Sequence, residues 1–283
     1  MTNDSDRDRA SLSRRGVLAG GTALVAGPAT GAAPTFAGLS FQPGTRLDML
    51  IRFFRADGRE RGRERVAYDF NADGTIAMNA HSESFDPPVV RNAIYLLGKR
   101  YEPISCHLQI LNDGRHAGSG WYDCGASTVE LTGDRSGDGR ISRRYSLTEP
   151  LTALVAHPVS TDVLVGMAAD RAAAGIPHIA SGVYLTSSDP YGRTGPDLVR
   201  ADVKIAYLGV EVVSTPAGPV GGDHYLLYLP TANKGYQPFQ DLWCIAGTPV
   251  FLKAYARQPV DTRYEISELS FKTVELPGAG LGA

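Results

Sequence analysis

Hydrophobic and polar residues alternate along most of this chain. Between positions 46 and 54, Leu47, Met49, Ile51 and Phe53 share one face of an extended segment, and Arg46, Asp48 and Arg52 share the other. Asp57-Gly58 follows as a turn signal. Val66, Tyr68 and Phe70 then alternate with Arg65 and Asp69, Asn71-Ala72-Asp73-Gly74 marks a second turn, and a third strand spans 76 to 85. Asp86-Pro87-Pro88 is expected to break this meander. Further strands are expected at 104–111, 119–124, 140–147, 202–213, 224–229, 239–245, 250–255 and 264–273, separated by Gly/Pro-rich turns. The period changes once. Ser160 or Thr161 is placed to cap a short helix from Asp162 to Ala172, which Gly175 ends.

Many short strands at roughly ten-residue spacing predict a sandwich, a barrel or a strongly bent sheet. The expected fold is all-β: a strongly bent antiparallel sheet or partial barrel, lipocalin-like or half-barrel, with one short helix.

The N-terminal region follows a different rule. Ser13-Arg14-Arg15-Gly16-Val17-Leu18 precedes an uncharged Gly/Ala-rich stretch from Val17 to Ala33. An arginine pair before a short apolar segment reads as a twin-arginine export signal. The expected organisation is a signal over 1–33, one antiparallel β domain over 38–275 and a disordered tail over 276–283. The expected location is periplasmic or secreted, with the twin-arginine export machinery as one partner. A net charge of −2 gives no electrostatic case for nucleic acid. No later segment reaches the apolar length of a membrane helix, so no transmembrane span is expected in the mature protein.

The C-terminal third carries an ordered set of short motifs: Gly209-Val-Glu211, Pro216-Ala217-Gly218, His224-Tyr225, Asp241-Leu242-Trp243 and Tyr264-Glu-Ile266-Ser-Glu-Leu269. This order resembles a group of exported bacterial β-rich proteins of unknown function. The resemblance implies a bent antiparallel sheet wrapped as a half-barrel around an apolar interior, similar to periplasmic lipid carriers. It implies no reaction.

Established catalytic signatures are absent: the chain has no G-x-S-x-G, no H-E-x-x-H, no P-loop and no dinucleotide fingerprint. No cofactor and no metal site are expected. The strands 104–111 and 119–124 permit a geometric argument. A turn centred on Arg115 pairs residues whose numbers sum to 230, which sets Cys106 opposite Cys124, Leu108 opposite Tyr122 and His107 opposite Asp123. Such a Cys pair is near disulfide reach in an oxidising compartment. A carboxylate beside an imidazole is the arrangement a general base needs. His107, Asp123, His157 and Tyr122 are therefore the candidate catalytic set. His157 qualifies because it sits at a strand-to-helix junction.

Tyrosine is prominent, at 13 residues. Its apolar ring and polar tip suit a pocket wall. Trp121, Tyr145, His224, Tyr228 and Trp243 are the candidate ligand-binding residues. The leading expectation is binding of a hydrophobic or aromatic small molecule inside the bent sheet. The alternatives are a cofactor-independent lyase, hydratase or isomerase using a His/Asp/Tyr set, and an envelope structural or interaction protein.

Overall fold

Alternating segments form strands because one face of each can be buried while the other stays wet. The computed structural model describes residues 41–233, 235–258 and 260–273. The export signal over 1–33 and the tail over 276–283 lie outside the described residues.

The chain first makes an antiparallel meander of eight strands: β1 (Thr45–Arg55), β2 (Glu60–Phe70), β3 (Ile76–Phe85), β4 (Pro88–Leu97), β5 (Pro103–Asn112), β6 (Arg115–Cys124), β7 (Thr128–Arg135) and β8 (Gly139–Ser146). A connecting segment carries β9 (Ala153–Val155), helix α1 (Val159–Gly166), a 3-10 turn over Arg171–Ala173, β10 (His178–Ile179), β11 (Val183–Leu185) and β12 (Val199–Arg200). A second meander follows: β13 (Lys204–Thr215), β14 (Gly218–Pro230), β15 (Tyr236–Ile245), β16 (Phe251–Ala256) and β17 (Thr262–Thr273).

The two meanders join through their outermost strands in sequence. β17 pairs antiparallel with β1, from Thr45 opposite Thr273 to Arg55 opposite Thr262. The result is one 14-stranded sheet in the order β10-β13-β14-β15-β16-β17-β1-β2-β3-β4-β5-β6-β7-β8. It is open among the described residues, with β10 and β8 at its ends. β12, β11 and β9 form a separate three-stranded sheet.

The inner faces of both meanders touch the same connecting segment, so the sheet curves around it. Seven of the eight α1 residues are buried, all but Asp162. Tyr95 on β4 donates its hydroxyl to the Leu154 carbonyl at 2.9 Å. Tyr122 on β6 donates to the Asp197 carbonyl at 2.7 Å. Tyr68, Tyr95, Tyr122 and Tyr225 are fully buried, so much of the tyrosine content serves the core and anchors this segment.

The structure bears out the all-β class, the strongly bent antiparallel sheet and the single short helix. Four details differ from the sequence reading. The Asp86-Pro87-Pro88 segment does not break the meander, because Phe85 pairs with Pro88 across a two-residue turn. Strands β4 and β7 also lie where no strand was expected. The helix starts at Val159, before both Ser160 and Thr161. Its first backbone N–H groups are taken by a distant carboxylate, Glu64, and Thr161 donates its hydroxyl to the Pro158 carbonyl. Finally, the β5–β6 hairpin closes through the two-residue turn Asp113-Gly114, with φ of 49° and 71°, a geometry that suits Asp-Gly. Paired numbers therefore sum to 228 along most of the hairpin. Cys106 faces Tyr122, Leu108 faces Gly120, and His107 faces Trp121. Cys106, Cys124 and Cys244 are all free.

Candidate active and ligand-binding site

The candidate catalytic set does not assemble. His107, Trp121 and Asp123 lie on the outer face of β5 and β6. The His107 and Trp121 rings are 6.1 Å apart, Trp121 is 51% exposed, and Asp123 pairs with Ser105. Tyr122 points the opposite way, into the core. A side chain two positions along a strand keeps its face while its cross-strand partner changes, which is why the register error moved every pair. Tyr145 donates its hydroxyl to the Asp197 carboxylate at 3.1 Å and does not line the cavity described below. Tyr228 is half-buried and also stands outside it.

The C-terminal motifs meet on the outer face, on neighbouring strands β13, β14 and β15. His224 lies between two carboxylates, with Nδ1 2.8 Å from Glu211 and Nε2 3.1 Å from Asp241. Trp243 stacks on the His224 ring at 4.1 Å and donates its indole N–H to Glu211 at 3.0 Å. Lys253 sits over the indole, and Arg257 pairs with Asp241. Hydrogen bonds from Trp243 and His224 hold the Glu211 carboxyl below its ordinary range. Every polar group named here has a partner, so the cluster fastens three strands together.

A partly open space lies on the inner face, against β14–β17 and β1–β4 in the middle of the strand order. Here a cavity of about 430 Å³ remains beside α1. That volume is within the range of small-molecule sites. Its apolar wall includes Phe53 of β1, Val155 of β9, Val165 of α1, Leu227 of β14, Phe239 of β15 and Val260. The loop 187–191 and residues 200–203 cover one side. Within that loop, the Asp189 carboxylate accepts the backbone N–H groups of Tyr191 and Arg193 and pairs with the Arg193 side chain. His157, of the sequence-derived candidates, does line this cavity.

The ionisable groups around the cavity arise from charges placed in phase with the core positions. On β2 the inward series is Gly62, Glu64, Val66, Tyr68 and Phe70, and on β4 it is Val89, Arg91, Ala93, Tyr95 and Leu97. Glu64 is fully buried beside the cavity, and its carboxylate accepts the backbone N–H groups of Val159 and Ser160 at 2.7 and 3.1 Å. A carboxylate at a helix N-terminus satisfies donors that lack intrahelical partners. Burial still dominates and pushes Glu64 up to about 7. Asp162, on α1, faces the cavity and accepts from Gln240 Nε2 at 2.9 Å. Burial, with repulsion from Glu64, raises it to about 7 as well.

Two guanidinium groups also line the cavity. Arg91 is 6% exposed, and its Nε donates to the Gly192 carbonyl at 3.2 Å. Burial lowers it to about 10. Arg61 donates to Thr262 and to the Asp86 carbonyl. Among the described residues, neither forms an ion pair. His157 has a left-handed backbone (φ 71°) and a buried Nε2 with no hydrogen-bond partner, and burial pushes its imidazole down to about 4. Held strain of this kind collects at functional sites. Gly192 packs on both groups: a Cβ there would lie 2.6 Å from His157 Cγ and 2.8 Å from Arg91 Nε. The Tyr264 ring completes this wall, set edge-on to Phe53 at 4.8 Å.

Comparison with known proteins gives limited matches. The chain is similar to a β-barrel-like protein of a domain of unknown function, DUF1849, from Brucella abortus. That match has 8% identity, a TM-score of 0.47, and coverage of 81% of this chain and 97% of the other. It is also similar to a candidate exported protein with a YmcC-like fold from Bacteroides fragilis (8% identity, TM-score 0.26, coverage 81% and 96%). A candidate lipoprotein from Parabacteroides distasonis gives the same figures. No family model matches the chain, and no curated protein matches it.

Proposed function

We propose that this protein is exported and binds a small hydrophobic or amphiphilic molecule, whose apolar part occupies the cavity beside α1. The observation that carries this reading is the cavity itself. A bent sheet whose interior is otherwise filled by its own connecting segment leaves about 430 Å³ with an apolar wall and a polar, ionisable one. A protein built only as a scaffold would gain stability by filling that space. The twin-arginine pattern from Ser13 to Leu18 supports export to the periplasm or beyond.

A second reading rests on Asp162. A cavity-facing carboxyl raised to about 7 is poised as a general base at neutral pH. Tyr264 and Gln240 stand on the same wall. In this reading the protein is a cofactor-independent lyase, hydratase or isomerase acting on the same class of apolar molecule. Its acid-base group is then Asp162 in place of the pair His107 and Asp123.

The test is native mass spectrometry of the protein isolated from its own periplasm, followed by solvent extraction. The wild type is expected to carry a small apolar adduct. A Leu227→Trp variant, which fills the cavity, is expected to lose the adduct while keeping the near-ultraviolet circular dichroism of the fold. An adduct that persists in Leu227→Trp overturns the placement of the ligand. Absence of any adduct, together with no uptake of the neutral dye N-phenyl-1-naphthylamine, overturns the binding reading.

A further inference from the structure

Arg91 is in an unusual electrostatic position. A buried guanidinium without a carboxylate partner is costly, because desolvation is not repaid by an ion pair. The carboxylates around it are all engaged elsewhere. Glu64 is committed to the first N–H groups of α1, Asp162 to Gln240, and Asp189 to Tyr191 and Arg193. The Arg91 Nε is held by the Gly192 carbonyl. Its two terminal nitrogens have no hydrogen-bond partner among the described residues, and the side chain lines the cavity.

The surroundings point the same way. Arg61 places a second guanidinium on the same cavity, and its Nε is buried without a partner. Ser84 Oγ and His157 Nε2, from two further lining residues, are also buried and unpartnered. Glu64 and Asp162 are the carboxyls that stand near Arg91 from β2 and α1. Burial raises both to about 7, so at neutral pH each is only partly ionised and only partly offsets the guanidinium charge. Leu227, Leu229, Phe239 and Val260 add apolar surface to the lining.

We propose that the ligand is a monoanionic amphiphile, a carboxylate on an apolar body, whose carboxylate docks on the free fork of Arg91. This rests on the ligand-binding reading above and gives it a chemical class. A planar carboxylate matches two parallel guanidinium N–H donors, a geometry that a lysine cannot offer. One fork compensates one charge. A dianionic phosphate ester would leave a second negative charge beside Glu64 and Asp162.

The experiment uses the mature, delipidated protein loaded with N-phenyl-1-naphthylamine. The dye is displaced in parallel by decanoate, decan-1-ol and decylamine, which share one chain and differ in head group. Decanoate is expected to displace it at a concentration at least about 10-fold lower than decan-1-ol, the return on one charge-assisted pair, with decylamine weakest. Arg91→Gln is expected to abolish the difference between decanoate and decan-1-ol. Arg91→Lys is expected to restore only part of it. Equal displacement by decanoate and decan-1-ol in the wild type overturns the head-group inference and leaves the binding reading standing. Failure of the dye and all three chains to bind overturns both. The wild-type comparison decides the matter even if the Arg91 variants do not fold.

Discussion

Asp162 shows what a cavity-facing charge does to the fold. Its carboxyl rises from an ordinary 3.8 to about 7 because burial penalises the anion. The folded state therefore holds a proton that the unfolded chain gives up. The stability linked to this group is fully present below pH 4 and is lost progressively as pH rises through about 7, by roughly 4 kcal/mol. Asp162→Asn removes the ionisation and keeps an oxygen that can accept from Gln240. The variant should melt several degrees above wild type at pH 8, with the gap shrinking toward zero near pH 4. A gap that is constant with pH would contradict the assignment. Glu64 follows the same sign, but its carboxylate also holds the start of α1. Glu64→Gln leaves one oxygen to serve two backbone donors that the ionised carboxylate serves with two, so it should lack the gain at high pH that Asp162→Asn shows. Chemical denaturation at the two pH values measures both.

At the level of single elements, the sequence was readable where periodicity had only one interpretation. Leu47, Met49, Ile51 and Phe53 declared the inner face of β1, and the same logic found most long strands. Periodicity does not report register. Asp113-Gly114 was a two-residue turn inside what read as a longer loop, and this moved Cys106 off Cys124 and His107 off Asp123. Helix α1 gave a weak signal because it is buried on nearly all sides and has no polar face. Arg91 and Glu64 are charges in phase with apolar positions, a clue that shows only once β2 and β4 are aligned as strands. Asp162 and Tyr264 gave no such clue, since only folding brings α1 and β17 to the same wall. The thiols provide a check at this scale. Burial holds Cys124 and Cys244 up near 12, and Cys106 higher still. The folded protein should react slowly with a thiol reagent at pH 8 and yield three thiols per chain once denatured. A yield of one would mean that Cys106 and Cys124 are bridged.

Among the described residues, one 14-stranded sheet, open between β10 and β8, curves around the connecting segment. The sequence conveyed the class of that architecture and missed its organising feature. β9 to β12 are too short to carry a period, and the chain gives no local sign that its middle will become its interior. The order of strands carries a further consequence. β1 is flanked by β2, its neighbour in sequence, and by β17, which lies more than two hundred residues away. As the polypeptide leaves the ribosome, the eight strands of the first half emerge early. Until the last strand arrives, one edge of β1 stays unsatisfied and the two halves cannot be locked together. Folding is thus completed only at the end of synthesis, and a chain fed across a membrane as a thread would have to repeat that wait on the far side. The twin-arginine export proposed above would carry a chain that is already folded and so avoid the second wait.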